Sequence, residues 1–315
     1  MLQSNGVVCA PMKGLDVLLV AGTHGNEVNA PWLLDRWAQR PDLINTHGLK
    51  VQSVIGNPAA REAARRYIDR DLNRSFRDDL LASAEPGDHE TDRARHLFAL
   101  HGPDGGQPCR VAIDLHSTTA AMGSCLVLYG RRPADLALAA LVQGALGLPI
   151  YLHEADAAQT GFLVERWSCG LVIEVGPVAQ MVLNQQIVQQ THLALECCLA
   201  SLAMARKSRG QYPSKLVVHR HLGSCDLPRD EDGEPIALVH PQLERQHWKP
   251  LPENAPLFKT ASGEDHPQRL DAGASVVFVN EAAYAEKSIA FSVSTREVWP
   301  VQSAWRIALE QLMAI

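Results

Sequence analysis

Short apolar runs alternate with longer amphipathic segments over the first two thirds of the chain. The run at 17–21 is continuous and is followed by a glycine, a pattern typical of a strand buried on both faces of a sheet. The pattern predicts strands at 17–21, 49–55, 110–115, 124–129 and 171–175, and helices at 28–40, 90–100, 134–146 and 184–205. This alternation predicts an α/β fold in which helices cover both faces of a sheet.

The character of the sequence changes near residue 210. Prolines and turn pairs such as Asp232-Gly233 become frequent, and the apolar runs become short and rich in alternating or β-branched residues. We therefore predict two domains. Residues 1–209 form the larger α/β domain, and residues 210–315 form a smaller β-rich domain.

Composition narrows the classes of function. The 315-residue chain has a formal net charge of -6, whereas proteins that bind nucleic acid usually need a basic face. Its apolar runs are much shorter than the ~20 residues that span a bilayer, and its N-terminus lacks the pattern of a signal peptide. The seven cysteines include no CxxC pair, which is typical of reduced thiols. We expect a cytoplasmic protein that binds neither nucleic acid nor membranes.

Three potential metal ligands follow or end predicted strands. The first strand leads into GTHGNE at 22–27, and the third ends in DLH at 114–116. Because open α/β sheets bind ligands at the carboxyl edge of their strands, we expect His24, Glu27 and His116 to meet there. Two imidazoles and a carboxylate form a zinc donor set that leaves one position for water.

The convergence of these motifs carries the metal prediction. An HxxE motif is common outside metal sites, and so is a single histidine at a strand end. Asp114 supports the interpretation, because it lies two residues before His116 on the same face of the strand and could orient that ligand.

A carboxylate and a cluster of arginines accompany these ligands. Glu174 lies near the end of an apolar strand, where burial raises the pKa of a carboxyl group toward the range useful for a general base. The alternative is a structural ion pair with a nearby arginine. The arginine-rich stretch 65–74 predicts an anion-binding loop, since guanidinium groups bind carboxylates through two hydrogen bonds. The alternative for most of this stretch is a solvated loop with internal Arg–Asp pairs.

Nine short motifs along the chain identify a family. In order they are GTHGNE at 22–27, NP at 57–58, YIDRDLNR at 67–74, DLHSTT at 114–119, IEVGP at 173–177, DLPRDEDGE at 226–234, IALVHP at 236–241, WKPL at 248–251 and VNEAAY at 279–284. Together they resemble the aspartoacylase and aminoacylase-3 family of the zinc carboxypeptidase-like superfamily, over nearly the whole chain. The resemblance implies a mixed sheet flanked by helices, and a C-terminal domain that caps the active site.

The resemblance also implies a role for each matching position near the metal. His24, Glu27 and His116 match the ligands of one zinc ion per subunit. Glu174 matches the general base, and Arg66 matches the arginine that polarises the scissile carbonyl group.

Four further positions are implied to bind the substrate. Asn73 and Arg74 match the pair that holds a substrate carboxylate. Tyr284 matches a tyrosine of the C-terminal domain that closes over the substrate. Arg166 is the candidate for another arginine that precedes the base in the family.

The implied activity is zinc-dependent hydrolysis of small N-acyl amino acids, most simply of N-acetyl-L-aspartate to acetate and L-aspartate. One alternative is hydrolysis of N-acyl aromatic or neutral amino acids, and a more distant one is a non-catalytic zinc-binding module. Arg166 distinguishes the first two, because a second substrate carboxylate needs a second clamp. Its absence from the pocket would favour aromatic or neutral substrates. Members of the family are often dimers or larger, so we expect a homo-oligomer.

Overall fold

The structure of the chain is a computed structural model that describes residues 14–154, 156 and 159–314. Within these residues, eleven strands and seven α-helices follow one another along the chain. The strands are β1 (Leu15–Ala21), β2 (Val51–Ile55), β3 (Cys109–Ser117), β4 (Cys125–Tyr129), β5 (Ile150–His153), β6 (Cys169–Val175), β7 (Lys215–Cys225), β8 (Ala237–Val239), β9 (Phe258–Thr260), β10 (Ser275–Val277) and β11 (Phe291–Pro300). The helices are α1 (Asn29–Gln39), α2 (Pro58–Glu62), α3 (Asp78–Ala82), α4 (His89–His101), α5 (Pro133–Leu146), α6 (Gln185–Arg206) and α7 (Ser303–Ala314).

Nine of the described strands form one mixed sheet. Its order is β10, β11, β7, β5, β4, β6, β3, β1 and β2, while β8 and β9 pair separately. The block β6, β3, β1 and β2 is parallel throughout. β4 runs antiparallel to β6, and β5 and β7 continue parallel to β4. The mixed sheet flanked by helices confirms the predicted fold class.

Strand β1 shows why the sheet is buried on both faces. Its side chains point alternately to opposite faces, and all of them from Asp16 onward are buried. Val17 and Leu19 belong to the apolar cluster formed with α1, α5, α6 and α7, whereas Leu18 and Val20 pack with α4 on the other face. Burying one such side chain contributes roughly 1.5–3 kcal/mol to the stability of the fold. The strand β1 therefore holds the start of the following turn firmly in place.

The C-terminal third of the chain extends the same sheet. β7 lies beside β5, and β11 and β10 follow at the edge. Helix α7 returns to the first domain's core through Trp305, Leu309 and Met313, which are spaced four residues apart on one helix face. A separate apolar cluster, which includes Leu257 and Phe291, fills the β-rich region. The predicted division between residues 209 and 210 stays a prediction.

Sequence pattern predicted most of the long elements before residue 210 and missed β5 and α7. β5 has only four residues, and α7 follows a region whose prolines suggested strands and turns.

Among the described residues, each helix is too short or too polar to cross a membrane. The six described cysteines are free thiols, four of them buried.

Candidate metal centre

The carboxyl ends of three adjacent strands bring the predicted ligands and base together. β1 leads into the turn that carries His24 and Glu27, and β3 carries His116 near its end. β6 lies beside β3 with Glu174 in register with His116. Tight packing fixes the first turn, because a Cβ atom on Gly25 would lie 2.1 Å from the carbonyl carbon of Ala60.

His24, Glu27 and His116 form a compact, buried group. The Nδ1 of His24 lies 2.6 Å from Glu27 Oε1, and the Nδ1 of His116 lies 3.1 Å from Glu27 Oε2. The three ligand atoms lie within 4.8 Å of one another. The two imidazole rings meet edge to face, with their centroids 4.8 Å apart, so both rings present a nitrogen to the same point beside the carboxylate.

Two further carboxylates hold the opposite nitrogens of these rings. Asp71 Oδ1 lies 3.0 Å from the Nε2 of His24, and Asp114 Oδ2 lies 2.8 Å from the Nε2 of His116. Thr23 Oγ1 donates a hydrogen bond to Asp114 in turn. A carboxylate that accepts a hydrogen bond from one ring nitrogen favours the tautomer with the proton on that nitrogen. The lone pair of the other nitrogen is then available to bind a metal. These donors therefore fit a zinc ion, which prefers imidazole and carboxylate ligands.

Asp114 lies where the sequence suggested, whereas Asp71 was not singled out. Asp71 belongs to the charged stretch that follows the second strand, and its contacts with His24 and Arg66 distinguish it from its neighbours. Burial alone would raise the pKa of Asp71, but His24 and Arg66 outweigh that effect and lower it well below its usual range. Asp71 is therefore ionised and can hold the histidine.

Arg66 lies beside the predicted ligands. Its Nη1 donates to Glu27 Oε1 at 3.4 Å, and its Nη2 donates to Asp71 Oδ2 at 3.2 Å. Burial alone would lower its pKa, but Asp71 and Glu27 raise it, so the guanidinium group stays charged. Its Nε is buried and has no hydrogen-bond partner among the described residues.

Glu174 lines the cavity beside these groups. Burial raises its pKa well above the usual range, and Glu27 and Glu281 add to that effect, while His116 opposes it. A raised pKa of this kind suits a carboxyl group that acts as a general base.

The same cavity is lined by the predicted substrate-binding residues Asn73, Arg74 and Tyr284. Arg74 donates to the backbone oxygen of Asn73 at 2.8 Å and to Gln159 Oε1 at 2.9 Å, and its guanidinium carbon lies 4.0 Å from the ring centroid of Phe162. Asn73 Oδ1 accepts a hydrogen bond from a backbone N–H group. The lining also includes the rings of Tyr129, Tyr151, Phe162 and Phe278, beside that of Tyr284.

Arg166 is not brought to the site. Its Nε donates to the backbone oxygen of Phe76 at 2.6 Å, and its Nη1 donates to Asp78 Oδ1 at 2.5 Å. Arg166 ends a short 3-10 helix at 163–166, and the cavity wall is formed instead by Phe162, four residues earlier. The candidate clamp therefore binds neighbouring protein groups on the surface.

Glu281 is a structural residue of the site that sequence reasoning did not single out. Its Oε2 accepts hydrogen bonds from the hydroxyl group of Thr118, from Thr119 N at 2.8 Å and from Ala120 N at 3.2 Å. It thus ties the segment that carries Tyr284 to the turn after β3. Its position inside VNEAAY at 279–284 was the only signal in the sequence.

Comparisons with known proteins agree with this geometry. Residues 13–202 match the succinylglutamate desuccinylase/aspartoacylase catalytic domain, and residues 214–296 match the AstE/AspA barrel-sandwich hybrid domain. The chain is 62% identical over 303 residues to a probable aspartoacylase of Parasynechococcus marenigrum (strain WH8102), covering 96% of this chain and 100% of that protein. It is 57% identical over 302 residues to a probable aspartoacylase of Prochlorococcus marinus (strain MIT 9313), covering 96% and 99%.

Solved structures give the same result. Murine aminoacylase 3 superposes with a TM-score of 0.80 at 35% identity, covering 91% of this chain and 97% of that one. The succinylglutamate desuccinylase of Chromobacterium violaceum shares the fold, with a TM-score of 0.57 at 17% identity over 92% of this chain and 86% of that one. These matches confirm the resemblance seen in the motifs. The chain belongs to the succinylglutamate desuccinylase/aspartoacylase family.

Proposed function

We propose that this chain is a zinc-dependent amidohydrolase that removes the acyl group from N-acyl amino acids. One observation carries the proposal: a His–Glu–His donor set lies in one cavity with a carboxyl group of raised pKa and a half-buried, charged arginine. A binding module would need the donor set alone. The names of the relatives, aspartoacylase and aminoacylase, support the same class of reaction.

Each group has a place in the proposed hydrolysis. A zinc ion held by His24, Glu27 and His116 would acidify water and polarise the acyl carbonyl. Glu174 takes a proton from the attacking water as the new C–O bond forms. Arg66 stabilises the negative charge that develops on the carbonyl oxygen. Glu174 then returns the proton to the nitrogen as the C–N bond breaks, which releases a carboxylate and a free amino acid.

Arg74 and Asn73 orient the substrate. Arg74 offers a guanidinium group that two protein acceptors and the Phe162 ring hold in place. We propose that it binds the carboxylate of the amino acid, with Asn73 beside it. Fixing this end of the substrate places the amide near the reacting groups, which contributes to catalysis by orientation. Tyr284, carried by the segment that Glu281 ties down, covers the substrate.

The residues around Arg74 determine which substrate side chains the cavity accepts. Arg166 lies outside the cavity, the ring of Phe162 lies against Arg74, and four further Tyr and Phe rings line the same cavity. We therefore propose N-acyl amino acids with aromatic or neutral side chains as the preferred substrates. N-acetyl-L-aspartate is the second candidate, because relatives at 57–62% identity are named probable aspartoacylases.

A substrate panel separates these candidates. Purified chain is assayed with N-acetyl-L-tyrosine, N-acetyl-L-aspartate and N-acetyl-L-glutamate, and its zinc content is measured on the same sample. We expect the highest kcat/KM with N-acetyl-L-tyrosine. A higher value with N-acetyl-L-aspartate would reverse the order of the two candidates. Bound zinc without hydrolysis of any of the three would favour a non-catalytic zinc-binding module.

A further inference from the structure

A second cluster of side chains that can bind a metal adjoins the cavity, whose wall includes His153, and shares no residue with the first cluster. The register of β5 and β7 pairs Tyr151 with His219, so His153 and His221, two residues further along each strand, are neighbours. Both are buried, and the Nε2 of each lies 3.6 Å from Asp156 Oδ2. The ligand atoms of the three residues lie within 4.8 Å of one another.

The distances in this cluster suit a shared ion better than hydrogen bonds. A separation of 3.6 Å between nitrogen and oxygen exceeds the ~3.2 Å typical of a hydrogen bond. Two ligands of one tetrahedral zinc ion lie roughly 3.3–3.5 Å apart when each is ~2.0–2.1 Å from the metal. His153 Nε2 is also buried without a hydrogen-bond partner among the described residues. An ion would offset the free energy that such a buried polar atom costs.

The groups behind the cluster connect it to the cavity. Tyr151 Oη lies 2.6 Å from His221 Nδ1, so this contact can fix the ring with Nε2 facing Asp156. On the other side, Gln159 Nε2 donates to Asp156 Oδ2 at 3.2 Å, while Gln159 Oε1 accepts from Arg74 at 2.9 Å. A continuous chain of polar contacts therefore runs from the cluster to Arg74.

We propose that His153, Asp156 and His221 form a second site for a divalent cation, and that the bound cation positions Arg74 through Asp156 and Gln159. Two imidazoles and one carboxylate select Zn²⁺ or Co²⁺ over Mg²⁺ and Ca²⁺, which prefer oxygen ligands. A cation at this site would have a structural role, because it would be held apart from the proposed catalytic ligands His24, Glu27 and His116. The positioning of Arg74 rests on the function proposed above, whereas binding of the cation does not.

Metal stoichiometry tests the site without any assay of turnover. The full chain is stripped with a chelator and dialysed to equilibrium against Zn²⁺, and bound zinc is counted per chain. We expect two equivalents for the natural chain and one for His221→Asn. His219→Asn is the matched control, because it removes a buried imidazole from the same strand, and it should keep two. Equal zinc content in the natural chain and in His221→Asn would overturn the proposal, whether or not the first site is filled.

A second variant protects the test against misfolding. If His221→Asn does not give the melting curve of a folded protein, Asp156→Asn replaces it, because the amide keeps the shape of the side chain and removes its charge. It should also bind one equivalent. Dialysis against Mg²⁺ is expected to leave the second site empty, and filling by Mg²⁺ would contradict the assigned ligand chemistry.

Steady-state kinetics tests the coupling to Arg74. With the catalytic site loaded, His221→Asn should raise KM for the best N-acyl amino acid by about tenfold and change kcat much less, because a loosened Arg74 weakens substrate binding. An unchanged KM in a variant that has lost one zinc would show that the ion does not position Arg74. If no substrate is turned over at all, the proposed function fails while the zinc count still decides the site.

Discussion

At the scale of single residues, the environment of Glu174 argues most directly for a chemical role. β6 sets it in register with His116, and burial together with Glu27 and Glu281 raises its pKa. Glu90 shows the contrast with a structural carboxylate. Glu90 is fully buried, but it accepts hydrogen bonds from three backbone N–H groups, and its pKa is lowered although burial opposes this. Glu174 therefore fits the predicted base better than the structural alternative.

Replacing Glu174 by glutamine tests that role. Glu174→Gln keeps the shape of the side chain but cannot exchange a proton, so we expect kcat to fall by about 10²–10⁴. The zinc content should not change, because Glu174 is not one of the three proposed ligands. Kinetics and metal analysis on the same sample measure both effects. Near-normal turnover at full zinc content would show that Glu174 is not the base.

Arg66 gives a second prediction at this scale. Arg66→Ala removes a charged donor beside Glu27, and loss of such a donor costs about 10²–10³ in kcat. Arg65→Ala is the matched control, since Arg65 is exposed and should leave kcat within about twofold. Equal effects of the two substitutions would argue against a role in catalysis for Arg66.

The sequence predicted those site residues that a local pattern marks. His24, Glu27, His116 and Glu174 each lie at the end of an apolar run, so topology alone brings them to one edge. Asp71, Gln159 and Glu281 act through contacts with residues that are 47, 85 and 163 positions away, respectively. No local pattern marks such residues, because their importance depends on packing between distant segments. Arg166 illustrates the reverse case. It is an arginine before the base, as the family pattern requires, but it contacts Phe76 and Asp78 outside the cavity.

At the scale of elements, the turn after β1 positions two of the three proposed metal ligands, His24 and Glu27. Gly22 takes a φ of 67°, which L-residues adopt only with strain, and Gly25 packs directly on α2. Long apolar runs predicted β1, β3 and β6 well. They could not predict β5, which is too short to show a period, although it carries the Tyr151 and His153 of the cavity.

Gly25→Ala tests the turn. The new Cβ atom would lie 2.1 Å from a backbone atom of α2, so the turn or the helix must move. We expect the free energy of unfolding to fall by at least about 1–3 kcal/mol and zinc affinity to fall with it. Gly106→Ala is the control, because its Cβ would meet no atom closer than 3.9 Å. Urea unfolding and zinc titration measure both quantities, and a Gly25→Ala protein with unchanged values would show that the turn tolerates a side chain.

At the scale of the whole molecule, buried neutral histidines link stability to pH. His247 is buried, and neither ring nitrogen has a hydrogen-bond partner among the described residues. Burial lowers its pKa to about 4, and that of His219 to about 4 as well, where Arg296 adds to the effect. An unfolded histidine titrates near ~6.5, so the unfolded state binds the proton first as pH falls. The free energy of unfolding should therefore decrease as pH is lowered from about 6.5 to about 4.

His247→Gln isolates one part of this dependence. Between pH 7.5 and pH 5 the natural chain should lose about 1–2 kcal/mol more unfolding free energy than the variant, because the variant has no imidazole to protonate at this position. Urea unfolding at the two pH values gives the difference directly. Parallel losses in the two proteins would show that His247 does not remain neutral in the folded state.

Zinc content and turnover measured on one sample test the proposed catalytic centre most directly. The chain is stripped with a chelator, resupplied with zinc and assayed with N-acetyl-L-tyrosine and N-acetyl-L-aspartate, beside His116→Asn. We predict that turnover appears as zinc is restored to the natural chain, and that His116→Asn loses one zinc equivalent together with nearly all turnover. Full turnover in His116→Asn, or zinc restored to the natural chain without hydrolysis of either substrate, would contradict a metal-dependent hydrolase built on His24, Glu27 and His116.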